Sequence, residues 1–390
     1  MSAIATGSAS GRCPWRMSFS QPPEGRLFIN PVNMSETMPK ILRCGLFTLC
    51  LAVFASAYAN QPARLVDRIT LPGSPLKSFD IGFASHGVYA LADRSNASVD
   101  LIDTHTRRIL AQVGGFAGAK PGDQGGPNGV TIVDGRQIWA GDGNSSVKII
   151  DLKTRRIVAS VSTGGLKRVD ELGYDPRDHL VIAANNADQP PFVTLISSRA
   201  PYAVASRIEL PRATDGLEQP VWDPRSGMIF LAIPVLDGEP AKGGIAVIDP
   251  RQHKLVGMHE VSQCMPGGLA VGPANQLLVG CSDDAVSAGF PAHSLLLDAI
   301  SGKMIRTFPQ VGGSDEVWYD GRSGRYALAA VANPGGPVLG MIDARHERWL
   351  GNVPSGKSAH SVASVDGAVF VPVGAGDKAC PRGCVKVFDR

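Results

Sequence analysis

A six-residue segment ending in aspartate recurs along this chain at nearly constant spacing, and it constrains the fold more than any other feature. The seven copies are SVDLID, SVKIID, FVTLIS, GIAVID, HSLLLD, VLGMID and CVKVFD, ending at Asp103, Asp151, Ser197, Asp249, Asp298, Asp343 and Asp389. Successive copies lie 45 to 52 residues apart, which matches the length of one four-stranded propeller blade. The sequence therefore predicts an all-β, seven-bladed β-propeller with four antiparallel strands per blade.

The segment from Pro127 to Gly165 shows the strands within one repeat. Four apolar runs, GVTIV, QIWA, SVKIIDL and RRIVASV, are separated by short polar turns, a pattern typical of consecutive antiparallel strands. The last repeat stops at Arg390 without a fourth strand, whereas residues 63–73 resemble a fourth strand that lacks its blade. We expect this N-terminal strand to complete the last blade and close the ring, which leaves only short, protected sheet edges.

The N-terminal sequence has the order of a secretory signal. Lys40 and Arg43 precede the apolar run GLFTLCLAVFASA, which ends in the small-residue motif at Ala59, and the run is too short to span a membrane comfortably. We predict a signal peptide over residues 34–59 and cleavage near Ala59. The propeller would occupy residues 60–390 as one domain, with residues 1–33 a mis-called start or a disordered extension. The mature chain is then periplasmic or secreted, with no membrane span.

The charge and the cysteine spacing limit the classes of partner and cofactor that are expected. Residues 1–60 contain five basic and two acidic side chains, which leaves 33 of each in the predicted mature chain. A formal charge of zero gives no electrostatic reason for a nucleic-acid partner, so a small molecule or a periplasmic protein is expected. The sequence has no CxxCH motif for an attached haem.

Four cysteines lie in the predicted mature chain, and four cysteines allow three pairings. Cys264 precedes the first strand of the fifth blade and Cys281 ends its second strand, so antiparallel pairing brings the two together. Cys380 and Cys384 would close the short loop ACPRGC. An exported protein favours disulfides at both pairs over a thiolate metal site.

The long loops are predicted to lie on one face of the ring, where the first strand of each blade begins. Polar residues precede or begin these strands in most blades: Asp80, Asn128, Asp170 and Glu171, Glu218 and Gln219, Asp315 and Glu316, and His360. Because the first strand is innermost in a propeller, these residues should surround the mouth of the central channel. Which member of each acidic pair points inward depends on strand register.

Three interpretations of this ring stay open. Carboxylate and amide oxygens are the ligands that Ca²⁺ prefers, so Asp80, Asn128, Asp170 and Glu171 are candidate ligands for a divalent cation, Ca²⁺ above all. Alternatively the ring is a solvated funnel whose charges are balanced by nearby basic side chains, Arg94, Lys167 and Arg168. A third interpretation is a mouth that binds a cation or a partner without chemistry.

The same ring contains the candidate catalytic groups. His360 is its one histidine and lies beside the acidic residues of the adjacent blade, where it could act as a general base. The candidate catalytic residues are His360, Glu316, Asp315 and Glu218. Three tryptophans, Trp139, Trp222 and Trp318, are interpreted as core residues rather than as a substrate platform.

The repeated strand and the Thr-Arg-Arg or Ser-Gly-Lys turn after it resemble exported bacterial propellers of the YVTN-repeat and quinoprotein-dehydrogenase-like superfamily over residues 63–390. Pro127-Asn128-Gly129 also resembles the P-N-G motif of gluconolactonase- and paraoxonase-type propellers, which have six blades and are calcium-dependent hydrolases. That resemblance implies Asn128 as a metal ligand, and Asp80, Glu171 and Asp315 as its acidic partners. His360 and Glu316 are similar to the residues of virginiamycin-lyase-type propellers.

Two functions are therefore expected from the sequence. One is a metal-dependent hydrolase or lyase acting on a small ester or lactone. The other is a non-catalytic binding or scaffold propeller that uses its long loops, residues 233–244 and 281–293.

Overall fold

Seven four-stranded antiparallel sheets are arranged as the blades of a β-propeller in the computed structural model, which describes residues 62–389. The predicted leader and N-terminal extension lie outside the described residues. No helix among the described residues is long and apolar enough to cross a membrane. The predicted fold class and blade count are confirmed.

The strand bounds follow the sequence repeat closely. Blades one and two contain β2 (Gly82–Ser85), β3 (Val88–Asp93), β4 (Ser98–Asp103), β5 (Ile109–Gly114), β6 (Val130–Val133), β7 (Gln137–Asp142), β8 (Ser146–Asp151) and β9 (Arg156–Ser162). Blades three and four contain β10 (Leu172–Asp175), β11 (Leu180–Asn185), β12 (Phe192–Ser197), β13 (Val204–Glu209), β14 (Pro220–Trp222), β15 (Ile229–Ile233), β16 (Lys242–Asp249) and β17 (Lys254–Ser262). Blades five and six contain β18 (Pro266–Val271), β19 (Gln276–Cys281), β20 (Ser294–Asp298), β21 (Met304–Phe308), β22 (Ser314–Asp320), β23 (Arg325–Ala330), β24 (Val338–Asp343) and β25 (Arg348–Pro354).

The seventh blade closes the ring as predicted. It contains β26 (Ala363–Val365), β27 (Ala368–Val373), β28 (Cys384–Asp389) and the N-terminal strand β1 (Arg64–Ile69), in the order β1-β28-β27-β26. Arg64 pairs with Asp389 and Ile69 pairs with Val385 in the β1–β28 ladder. The two ends of the described chain are thus joined by backbone hydrogen bonds. Two short helical segments lie in loops, a 3-10 turn at Arg94–Asn96 and α1 (Asp283–Ser287).

The repeated aspartate shapes the turn between the third and fourth strands of a blade. Oδ1 of Asp151 accepts hydrogen bonds from the backbone N–H and the hydroxyl of Thr154, both at 2.7 Å. Ser197 stands at this position in blade three, and its hydroxyl accepts the N–H of Arg199 at 3.3 Å. Asp and Ser side chains that bond to nearby backbone in this way favour tight turns. The repeat therefore marks turn geometry.

Among the described residues, seven apolar clusters are each formed between two neighbouring blades, and a small eighth cluster contains Val235, Met265 and Ala285. Strand β11 shows how one strand serves two clusters. Ile182 and Ala184 pack toward blade four, while Val181 and Ala183 pack toward blade two. Because successive side chains of a strand point to opposite faces, a strand in mid-blade must be apolar at every position. This explains the continuous apolar runs in the sequence.

Candidate functional site

The predicted ring of polar residues lies where the innermost strands begin. Backbone hydrogen bonds join neighbouring blades at this level, from the N–H of Gly129 to the carbonyl of Asp170 at 2.9 Å and from the N–H of Glu316 to that of His360 at 3.2 Å. Gly129 is required for the first contact, because a Cβ there would lie 2.5 Å from the carbonyl oxygen of Asp170. The blades therefore approach most closely where the polar side chains converge.

One network of ion pairs and hydrogen bonds joins the last blade to the first two. Nε2 of His360 lies 3.6 Å from Oδ1 of Asp80, and the guanidinium of Arg94 donates to the other carboxylate oxygen of Asp80. Nε of Arg94 also donates to Oδ1 of Asn128 at 2.9 Å. The ring of His360 stacks on Phe79 with centroids 4.8 Å apart. This packing and pairing hold the imidazole in one orientation.

The network shifts the pKa of both titratable partners. Burial alone would raise the pKa of Asp80, but Arg94 and then His360 outweigh it and lower the pKa to about 2. Burial alone would lower the pKa of His360, but the Asp80 carboxylate and the negative charges of Asp315 and Asp80 raise it to about 9. At neutral pH the pair is therefore a carboxylate and an imidazolium.

A second guanidinium, that of Arg168, neutralises the carboxylate of Asp170 in blade three. Nη2 of Arg168 donates to Oδ2 of Asp170 at 2.8 Å, and Nδ2 of Asn186 donates to the same oxygen. Beside it, Nζ of Lys167 lies 2.9 Å from Oδ2 of Asp123. The basic residues near the mouth are thus paired with acidic ones, as the funnel interpretation expects.

Of the remaining carboxyl groups, Glu171 and Glu316 are buried and Asp315 and Glu218 are partly buried, and among residues 62–389 no basic side chain forms an ion pair with them. Oε2 of Glu316 accepts the Ser361 hydroxyl at 2.5 Å and the Val362 N–H at 2.9 Å. Burial is the largest cause raising the pKa of Glu316 to about 8 and that of Asp315 to about 7, with mutual repulsion among the acidic residues adding to it. Burial and neighbouring carboxylates also raise the pKa of Glu171 and Glu218 well above the usual range. This cluster therefore holds protons near neutral pH.

The predicted metal ligands are engaged by other side chains in this geometry. Asp80 and Asn128 are bonded to Arg94, and Asp170 is bonded to Arg168. A cation at these oxygens would have to displace the two guanidinium groups, so the paired residues do not fit an open metal site. The metal site stays a prediction.

One trio of potential ligand atoms, all within 4.8 Å of one another, is found among residues 62–389. It consists of Cys264, Cys281 and His293. The two cysteines lie at bonding distance in a disulfide, Cys264–Cys281, and a disulfide offers no thiolate to a metal. The pair Cys380–Cys384 is also at bonding distance. Both predicted cysteine pairs are thereby confirmed, and the trio carries no metal site.

Comparison with known protein families gives no match, and comparison with curated protein sequences gives none. Solved structures match by fold. A chain in the crystal structure of a mitotic checkpoint complex superposes with a TM-score of 0.62 at 12% sequence identity, covering 94% of this chain and 99% of that chain. At this identity the likeness shows the propeller fold alone.

The channel behind the ring has features that the sequence interpretation missed. A cavity of about 510 Å³ is lined by the inner strands of six blades, with Glu171, Gln219 and Glu316 at its inner end. Trp139 is fully buried, as predicted. Trp222 and Trp318 pack against the core and also line the cavity. Their position on the first strand of a blade is the signal that could have indicated a channel-facing role.

Proposed function

We propose that this protein is an exported propeller that binds a small molecule at the channel mouth and acts on it by general acid–base chemistry, as a hydrolase or lyase. The observation that carries the proposal is the junction of the two blades that hold His360 and Asp315, where the N–H of Glu316 donates to the His360 carbonyl at 3.2 Å. The pKa values of His360 and Asp315 lie near 9 and near 7 there. Groups with perturbed pKa values in one cleft are common at catalytic sites. An ester or lactone is a suitable substrate class, because both need a proton at the leaving oxygen.

The roles follow from charge and position. His360 is charged at neutral pH and is the proton donor, while Asp80 and Arg94 position it. Asp315 has a pKa of about 7, so it is present in both protonation states and is the proton acceptor. Glu316 and Glu218 share protons with Asp315 and keep the site from accumulating negative charge. No step of this proposal runs through a metal ion.

A divalent cation at Asp80, Asn128, Asp170 and Glu171 is a separate proposal, and it requires Arg94 and Arg168 to move. Thermal melts of the mature chain, with and without a chelator, test it. An ion bound at stoichiometric amount whose removal lowers the melting temperature would support it. No bound ion, and no stabilisation by added Ca²⁺, would contradict it.

Export is supported by the two cysteine pairs, because disulfides persist in oxidising compartments. The signal-like sequence before Ala59 supports it independently. N-terminal sequencing of the protein secreted from a bacterial host would test both. A mature terminus near residue 60 is expected, whereas an uncleaved cytoplasmic product would contradict export.

A non-catalytic binding or scaffold propeller is the second candidate. The observation that favours it is the pairing of Arg94 with Asp80 and of Arg168 with Asp170, which leaves a neutralised mouth. In that case the loops at 233–244 and 281–293 would bind a periplasmic protein. Loop substitutions alone would then abolish binding.

Turnover of an ester and lactone panel separates the two candidates. Under the first, His360→Gln and Asp315→Asn lower kcat by about a hundredfold or more, while both variants still unfold in one cooperative transition above the assay temperature. His346→Gln is the matched control, because His346 is an exposed histidine in a turn of the opposite face. Equal turnover by the His360 variant and the control, or no turnover by any of the proteins, would contradict the enzyme proposal.

A further inference from the structure

The central channel contains a cavity that extends toward the face with short turns, opposite the face that carries the ring of polar residues. Its inner end is formed by the carboxyl groups of the ring, and it extends to the turn residues Ser85, His86, Asp134 and Pro176 on the face with short turns. Its volume of about 510 Å³ lies within the range of small-molecule sites. The lining of this cavity does not include His360, Asp80 or Asp315, and Glu316 is the residue that it shares with the proposed acid–base centre.

Aromatic rings form much of the cavity wall. Phe83 and Trp318 meet edge to face with centroids 4.8 Å apart. The aromatic residues that line the cavity are Phe83, Tyr174, Trp222, Trp318 and Tyr319, and each is partly exposed. Aromatic faces attract organic cations and also pack against apolar groups. The wall thus suits a ligand that carries both a positive charge and an apolar group.

The inner end of the cavity carries an unpaired acidic side chain. Glu171 is only 5% exposed, and within residues 62–389 no hydrogen bond or ion pair reaches its carboxyl group. Its neighbour Gln219 is satisfied by backbone, since Oε1 accepts the Leu269 N–H at 2.8 Å and Nε2 donates to the Val317 carbonyl at 3.3 Å. Buried polar groups are normally paired, so the unpaired carboxyl group of Glu171 points to a ligand.

We propose that the channel binds a small organic ammonium ion, with the ammonium group at Glu171 and the apolar body against the rings of Phe83 and Trp318. An ammonium group offers three donors and a positive charge, and it would satisfy Glu171 and the free oxygen of Glu316 together. An alcohol offers one donor and no charge. A carboxylate ligand is disfavoured, because the acidic side chains of Glu171 and Glu316 line this end of the channel.

Isothermal titration of the whole mature chain near neutral pH tests the proposal. The probes are butylammonium, benzylammonium and 2-phenylethylammonium, with 2-phenylethanol and 3-phenylpropionate as matched neutral and anionic compounds. At least one ammonium probe should bind about tenfold or more tightly than the alcohol, and Glu171→Gln should remove that advantage. The fluorescence of the channel tryptophans gives a second readout. Glu209→Gln is the control, since Glu209 is exposed on the outer strand of the same blade.

Each other outcome would overturn the proposal. Equal affinity for the amine and the alcohol would mean that the cavity selects only apolar groups. Unchanged amine binding by a folded Glu171→Gln variant would place the ammonium elsewhere. If none of the three ammonium probes binds, or if Ca²⁺ binds at Glu171 in their place, the channel is not an amine site. Should Glu171→Gln fail to fold, the ranking of the ammonium, alcohol and carboxylate probes by the wild type decides.

Discussion

Nε2 of His360 lies 3.6 Å from Oδ1 of Asp80 across the junction where the ring closes. His360 precedes the inner strand of the last blade, and Asp80 precedes that of the first blade. The two residues are 280 positions apart in sequence, so their contact exists only in the closed propeller. The charge state of the channel mouth and the closure of the fold are therefore linked.

The variant Asp80→Asn should destabilise the protein. It removes the partner of both Arg94 and His360 and leaves a guanidinium in a partly buried position, which costs about 2–4 kcal/mol. Urea unfolding near pH 6 measures the loss. Asp67→Asn is the control, because Asp67 pairs with Arg107 only at 3.8 Å in a half-exposed position and its Oδ1 can still accept the Arg68 N–H after the change. This variant should cost less than about 0.5 kcal/mol. Equal losses in the two variants would contradict the assigned network.

The protein should be more stable near pH 5.5 than near pH 9. Burial raises the pKa of Glu171, Glu218, Asp315 and Glu316, so the folded state holds protons that the unfolded state releases. Stability from such groups is present below their ordinary pKa and is lost as the pH rises through the folded value. His360, raised from 6.5 to about 9, acts in the same direction.

Glu171→Gln should flatten this pH profile, because it removes one of the raised carboxyl groups. Asp80 has the opposite sign, since its pKa falls from 3.8 to about 2 and its stabilisation is lost only below pH 3.8. Free energies of unfolding measured from pH 5.5 to pH 9 give the profile. A wild-type profile that rises toward pH 9 would contradict the burial of these groups in neutral form.

Gly129→Ala should destabilise the ring. The new Cβ would lie 2.5 Å from the Asp170 carbonyl oxygen and 2.5 Å from Cα of Glu171, so backbone of blade three must shift, at a cost of about 1–3 kcal/mol. Gly114→Ala is the matched control, because a Cβ at Gly114 meets nothing within 4 Å. Thermal melts compare the two. A neutral effect at Gly129 would mean that the blades do not approach so closely.

The two cysteine pairs should differ in their contribution to stability. The Cys264–Cys281 link spans 17 residues and the Cys380–Cys384 link spans four, so loop-closure entropy assigns them about 3 and about 2 kcal/mol. Double serine variants at each pair, compared by denaturant unfolding under oxidising conditions, measure the difference. A larger loss from the shorter loop would contradict the entropic account.

The blade count and the ring closure could be predicted because both follow from local sequence patterns. The repeated aspartate reports turn geometry that each blade needs, and the missing strand at one end matches the extra strand at the other. The Cys264–Cys281 pair was also predictable, because a hairpin of the first two strands of blade five places Pro266 opposite Cys281.

The ion pairs and the channel cavity could not be predicted in the same way. The ring positions were identified, but whether Asp80 faces a cation or Arg94 depends on side-chain packing among blades distant in sequence. Trp318 was interpreted as core because an apolar residue on an inner strand can face either a neighbouring blade or the channel, and the strand period does not separate these. The isolation of Glu171 likewise results from tertiary placement.

The pKa of His360 is the quantity that tests the account of the channel mouth most directly. Histidine Cε1–Hε1 resonances followed by NMR through a pH titration would measure it, with His360→Gln providing the assignment. The account predicts a pKa of about 9 in the wild type and a fall toward the ordinary 6.5 in Asp80→Asn. A wild-type pKa at or below 6.5, unchanged by Asp80→Asn, would contradict it.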